Sequence, residues 1–391
     1  MRTVQRAQPR WPAARFRLTL QFKASRRITH VPAPALDPIA AELLARLPGS
    51  PDAYPQKLDF AREVALLIKL DANSYRSASF LDDRILAPTT RGGWVPLRAV
   101  EEASRKVGTT RPVHFIFHTG HVGSTLVSRL LDDMGAVLSL REPLPLRTLA
   151  DAHDALGRSD SLLSAEQFDL ALNMLLRLWG RGYEGTRCAV VKATSSAGRL
   201  ASRLLAGSER SHALYLNLGA EPYLATLLAG QNSPADLRGH GPERLRRLQA
   251  RTASPLPPLH SLSLGELTAM SWLAETCAQH DATSRFPDRV LALDFDRFLT
   301  AVAESMDRIG AHFGLPRDAR YLASVASSPV LGRYSKAPEY AYSPQLRADV
   351  LRDSRRDNAD EIRRGMDWIA QRTRTDGALA TIVHAAEARR G

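Results

Sequence analysis

The chain has 391 residues, 44% apolar and 24% charged, enough for a large buried core and unlike a disordered or fibrous composition. Its formal charge of +12, from 53 Lys and Arg against 41 Asp and Glu, suits an anionic ligand, but with no basic-aromatic motif it does not argue for nucleic acid. Two cysteines are too few for a disulfide framework, and no secretory leader or run of about eighteen apolar residues is present. The expectation is a soluble, cytoplasmic protein without a membrane span.

Residues 1–15 are expected to be disordered, and 15–22 alternate Phe16, Leu18, Leu20 and Phe22 with polar residues at the period of a strand. Short helices are expected over 39–47, stopped by Pro48 and Gly49, and over 58–70; turns around short strands follow over 84–100. Residues 1–110 therefore read as an α+β accessory region, and 111–391 as the main domain. From residue 111 strands and helices alternate, which predicts an α/β fold: a doubly wound parallel sheet with helices on both faces. Strands are expected at 113–117, 136–140, 187–192, 212–218 and 289–295. Helices are expected at 144–153, 166–179, 198–206, 223–229, 264–279, 297–313 and 345–371, and the Gly-, Pro- and Arg-rich stretch 232–258 reads as a mobile segment or lid.

The stretch 112–131, PVHFIFHTGHVGSTLVSRLL, joins the first of those strands to a helix through Gly120 and Gly123. In such a turn glycine lets the backbone approach an anion, N–H groups converge, and the helix start adds partial positive charge. Ser124 and Thr125 fall in the first helical turn, where hydroxyls reach a phosphate oxygen. The Walker pattern fails, because Ser124 stands where its lysine belongs and His118 where its first glycine belongs. A plain strand-to-helix turn with capping hydroxyls is the alternative.

At the carboxyl ends of the other strands stand Arg141 and Glu142, Lys192, and the stretches 217–221 and 294–296. Glu142, one residue past a strand and followed by Pro143, is a candidate general base; the other reading is a capping carboxylate. Lys192 ends an apolar strand and either supplies a cation to the site or pairs with Glu142 or Asp294.

The loop resembles the 5′-phosphosulfate loop of the sulfotransferases at His121, Val122, Gly123, Ser124 and Thr125, with histidine in place of the usual basic residue. Leu140-Arg141-Glu142-Pro143, Lys192, the stretches 291–299 and 309–316, and the basic turn Gly332-Arg333-Tyr334-Ser335-Lys336 are similar to segments of the same family. The resemblance implies a P-loop α/β enzyme that moves a sulfuryl group from PAPS to a hydroxyl or amine of a small-molecule or carbohydrate acceptor, without a metal. It implies nucleotide contacts from Gly120 to Thr125 and at Arg333, with Glu142 as base and His121 or Lys192 neutralising charge. The sequence departs from the family after the fourth strand, where Ala220 and Leu228 replace an arginine and a serine that hold the 3′-phosphate. Either Thr226, or Arg199 or Arg203 from another helix, then serves, or the donor is not PAPS. A nucleotide-dependent phosphotransferase and a non-catalytic nucleotide-binding protein are the competing readings.

Overall fold

A computed structural model describes residues 36–389 other than 317 and 338, so the disordered stretch and the strand expected over 1–22 lie outside the described residues. β1 (Ala53–Asp59), β2 (Val64–Lys69) and β3 (Gly92–Pro96) form an antiparallel sheet in that order. The helix expected over 58–70 is not formed. Its apolar run is instead the second arm of a hairpin that buries Tyr54, Leu58, Ala65 and Leu67. The reversal carries neither Gly nor Pro and holds Glu63 at φ 54, so no usual turn signal marks it. With β3 added, three strands bury one face, which a lone hairpin cannot do stably.

β4 (Val113–His118), β5 (Val137–Arg141), β6 (Cys188–Lys192), β7 (Ala213–Asn217) and β8 (Val290–Asp294) form a parallel sheet in the order β5-β6-β4-β7-β8. Period-two geometry sends alternate side chains to opposite faces. Phe115, Phe117, Leu140, Val191 and Tyr215 enter one apolar cluster, while Ile116, Val190, Leu214 and Leu216 enter another. The helices Leu144–Ala155 and Ala165–Trp179 cover the first face; Ser124–Asp133 and Leu264–Arg285 cover the second. The fold is thus α/β, a parallel sheet wound on both sides. The first cluster also takes in Tyr54, Leu67 and Val95, so the antiparallel sheet packs on that face. The boundary expected at residue 110 falls between the helix Leu97–Arg105 and β4. No helix among the described residues is long and apolar enough to cross a membrane.

Most of the stretch 232–258, expected as a mobile segment or lid, is helical. Ser233–Gln249 is a 17-residue helix that tolerates Pro242 within it. Leu237 and Leu248 are fully buried, and Arg244 and Arg247 bond Glu275 of the neighbouring helix at 3.0 and 2.8 Å. Tertiary contacts override the weak helix propensity of Gly239, Gly241 and Pro242.

Arg141 fixes the remaining wall of the site. Fully buried, it donates to the carbonyls of Tyr75 (3.1 Å) and Ala78 (2.9 Å) and to Ser128 Oγ (3.0 Å), and it pairs with Asp132. The Leu81 N–H bonds the Arg141 carbonyl at 2.7 Å, drawing the chain around Phe80 and Arg84 against the end of β5. Arg141 is therefore a structural clamp rather than a ligand contact.

Candidate active site

β4 is the centre of the sheet: the chain leaves it for the β5 edge, returns through β6, and then crosses to β7 on the other side. Such a reversal opens a crevice at the carboxyl ends of the strands. A cleft of about 770 Å³ lies there, lined by the whole turn from Gly120 to Thr125 together with Glu142 and Lys336.

The turn is built from left-handed backbone. Gly120 has φ 111 and Gly123 φ 68, and His121 between them has φ 53. A Cβ on Gly123 would overlap the Phe295 ring, so glycine is required there on two grounds. Across the cleft Glu142 has φ 50. Left-handed backbone at a non-glycine residue costs about 1–2 kcal/mol, so the fold maintains this strain twice at one site.

The turn leaves its donors open. Among the described residues the amides of Gly120, His121 and Val122 bond no backbone carbonyl, and the first amides of the helix Ser124–Asp133 have no intrahelical acceptor. Ser124 and Thr125 are buried, and Thr125 Oγ1 lacks a partner among the described residues, as does Thr194 Oγ1 on the facing loop. His118 Nε2 lies 2.9 Å from the Ala193 carbonyl and must donate to it, so Nδ1 is left as an unpaired acceptor. Burial, and then Lys192 and Lys336, hold His118 neutral.

Glu142 and Lys192 meet at the neighbouring strand ends. Lys192, fully buried on β6, bonds Glu142 Oε1, and the Glu142 N–H bonds the Lys192 carbonyl at 2.7 Å. Arg84 Nη2 lies 3.8 Å from the other carboxylate oxygen. Burial opposes ionisation of Glu142, but Lys192, Lys336 and Arg84 outweigh it and keep the carboxyl below its ordinary pKa. Burial lowers the Lys192 pKa to about 8 against the pull of Glu142. His121 has its open side in solvent, yet crowding by the cleft walls and then Lys336 lower its pKa to about 4, which makes it neutral at pH 7.

The other expected contacts divide. Thr226 lines the cleft, although its Oγ1 bonds the Pro222 carbonyl at 2.7 Å. Arg333 is exposed and does not line it, whereas Tyr334, Ser335 and Lys336 of the same turn do. That turn is a small hairpin: the Tyr334 N–H bonds the Tyr340 carbonyl at 2.9 Å, and Arg129 Nε reaches the Ser335 carbonyl at 2.8 Å. Arg199 and Arg203 are committed elsewhere. Arg199 pairs with Asp151 (2.8 Å), Asp154 (2.9 Å) and Glu243 (3.3 Å), Arg203 with Asp169, and neither lines the cleft. Asp294 accepts from the Asp296 and Arg297 amides at 2.9 and 3.2 Å, as a helix cap.

Sequence reasoning missed Phe80, Arg84, Arg147, Asp236 and His240, which also line the cleft. Asp236 and His240 sit four residues apart on the helix Ser233–Gln249, 3.7 Å from each other. That spacing was readable once the segment is known to be helical. The approach of Phe80 and Arg84 depends on the Arg141 clamp and leaves no mark in the sequence.

No model of a known protein family and no curated protein matches the chain. Solved structures similar to it include mouse sulfotransferase SULT7A1 complexed with PAP (11% identity over 72% of this chain and 92% of that one, TM-score 0.36) and sulfotransferase STF9 from Mycobacterium avium (12%, 81% and 96%, TM-score 0.36). A third is the sulfotransferase domain of the Synechococcus olefin synthase (16%, 63% and 94%, TM-score 0.34). These three solved structures are sulfotransferases, and at 11–16% identity no residue's role is taken from them.

Proposed function

We propose that the chain is a transferase that moves a sulfuryl group from a nucleotide phosphosulfate to an acceptor hydroxyl or amine. One observation carries this reading: a strained turn with open amides and unpartnered hydroxyls shares a cleft with a carboxylate held on a buried lysine. The phosphosulfate end of PAPS fits the turn, where the amides, Ser124 and Thr125 would hold it. When bound, that donor supplies an activated sulfuryl group on a phosphate leaving group. A 3′-phosphate finds less support: Ala220 is buried and apolar, and Glu221 is occupied by Arg355 at 2.7 Å.

Each remaining role belongs to a side chain of the chain itself. Glu142, kept ionised, accepts the proton of the acceptor group. Lys192 holds that carboxylate in place, and with Lys336 it offsets negative charge at the loop. Neutral His121 donates a hydrogen bond at the rim and gains charge when an anion raises its pKa. Phe80 and Arg84, from the accessory region, complete the acceptor side. Isothermal titration with PAP and ADP, paired with transfer of labelled sulfuryl from PAPS to a panel of hydroxyl and amine acceptors, tests the reading. Preference for PAP with transfer that is lost in Glu142→Gln supports it. Equal affinity for ADP removes the PAPS assignment, and magnesium-dependent ATP turnover favours a phosphotransferase.

A further inference from the structure

Arg147 stands in the second turn of the helix that follows Glu142, and it lines the cleft on the same side. The packed side of that helix is formed by Leu146, Leu149 and Ala150, which turns Arg147 toward the opening. Among the described residues its guanidinium makes no hydrogen bond, and its Nε is shielded from water without a partner. Its one ion pair among the described residues is a long contact of 4.0 Å to Asp82 Oδ2. Asp82 is already satisfied, because Arg84 takes both carboxylate oxygens at 2.8 and 2.5 Å. The Arg84 guanidinium is in turn stacked on Phe80 at 3.3 Å and cannot swing aside freely.

The charges on this wall can be matched one by one. Lys192 belongs to Glu142 and Arg84 to Asp82. Asp236 lies by His240 and pairs with no arginine among the described residues. Arg244 pairs with Glu275 and Arg347 with Asp296, which leaves Lys336, with no ion pair among the described residues, and Arg147, with only its long contact to Asp82. Lys336 lines the cleft beside the turn and acts on His118 and His121 as well as on Glu142. Arg147 instead acts on Asp82 and His240, on the walls beyond Glu142. A planar fork of five donors with no hydrogen-bond partner among the described residues matches a carboxylate, phosphate or sulfate in two-point contact.

We propose that Arg147 is an anion-binding residue of the acceptor side, and that the acceptor reaching Glu142 carries a carboxylate, phosphate or sulfate of its own. The acceptor class rests on the reading of Glu142 above; the anion site itself does not. The test is a titration of the full chain with inorganic phosphate, read by phosphorus NMR line broadening, with the protein free and then saturated with PAP. The PAP-loaded wild type is expected to keep a phosphate site, and Arg147→Gln to bind phosphate there about tenfold more weakly with PAP affinity unchanged. Arg147→Lys, which keeps the charge and loses the fork, should fall between them and guards against a folding defect. Equal phosphate binding by PAP-loaded wild type and Arg147→Gln overturns the inference. Failure of PAP to bind at all sinks the donor reading instead, and the free protein then decides this one. A phosphate signal lost in Arg147→Gln supports the site, and one that survives overturns it.

Discussion

The two ends of the five-stranded sheet both gather histidines around one that is buried, His114 or His118, and they use them in opposite ways. At the amino end His114 lies flat on Phe313, with ring centroids 4.9 Å apart, and takes the His212 N–H on Nδ1 at 3.1 Å. His312 completes the group by donating to the Ala213 carbonyl at 3.0 Å. Apart from His212 Nδ1, no buried ring nitrogen of these three histidines lacks a partner among the described residues. At the carboxyl end His118, Thr125 and Thr194 keep atoms unpaired, and His121 and Glu142 hold left-handed backbone. Buried polar groups are nearly always satisfied in a folded chain. The amino end is therefore packing, and the carboxyl end is arranged for a partner that the chain does not supply.

Substitutions at the carboxyl end should alter chemistry, and stability too where they break the buried Glu142–Lys192 pair; Glu142→Gln is expected to have the largest effect on the reaction. The account expects transfer to fall by about 10²–10⁴ with nucleotide affinity unchanged, measured by single-turnover kinetics beside calorimetry. Lys192→Met should cost about 3–5 kcal/mol in denaturant unfolding, because it leaves the Glu142 carboxylate buried and uncompensated. Adding Glu142→Gln to that variant should restore most of the loss. The same pair sets a pH limit: Lys192 loses its proton as pH rises through about 8, so the transfer rate should decline above that point.

The amino end should show the reverse, a stability effect without a functional one. Burial, helped by His212, His312 and Arg210, lowers the His114 pKa to about 3. The unfolded chain binds this proton more readily than the folded one, so stability is full above the ordinary histidine pKa and drains as pH falls from about 6.5 toward 3. Thermal melts of His114→Phe across that window should show a flatter decline, by on the order of 2 kcal/mol, with nucleotide binding untouched. A smaller contrast comes from Thr125→Val. Its hydroxyl has no partner to lose among the described residues, so the melting temperature should hold while nucleotide affinity drops about tenfold.

How much of this was legible beforehand follows from where the information lies. The parallel strands are continuous apolar runs, and all five emerge within two residues of their expected limits. The turn at Gly120 and Gly123 was readable because only glycine suits those positions, and Glu142 and Lys192 because each ends such a run. The β1–β2 hairpin was misread, since Val64 to Ile68 is apolar throughout and its turn lacks Gly and Pro. The helix Ser233–Gln249 was hidden by its own composition; Glu275, 31 residues beyond Arg244, is what stabilises it. Arg199 was a reasonable substitute for a missing phosphate contact until its three carboxylate partners were placed. Long-range pairing of this kind has no local signature.

The central claim is that the open amides and hydroxyls from Gly120 to Thr125 bind the phosphosulfate end of a nucleotide. Calorimetric titration of PAP into the wild type, Ser124→Ala and Thr125→Val tests it most directly. The account expects saturable binding by the wild type that weakens about tenfold in each variant while their melting temperatures stay with the wild type. No heat of binding in the wild type, or equal affinity in all three proteins, would contradict it.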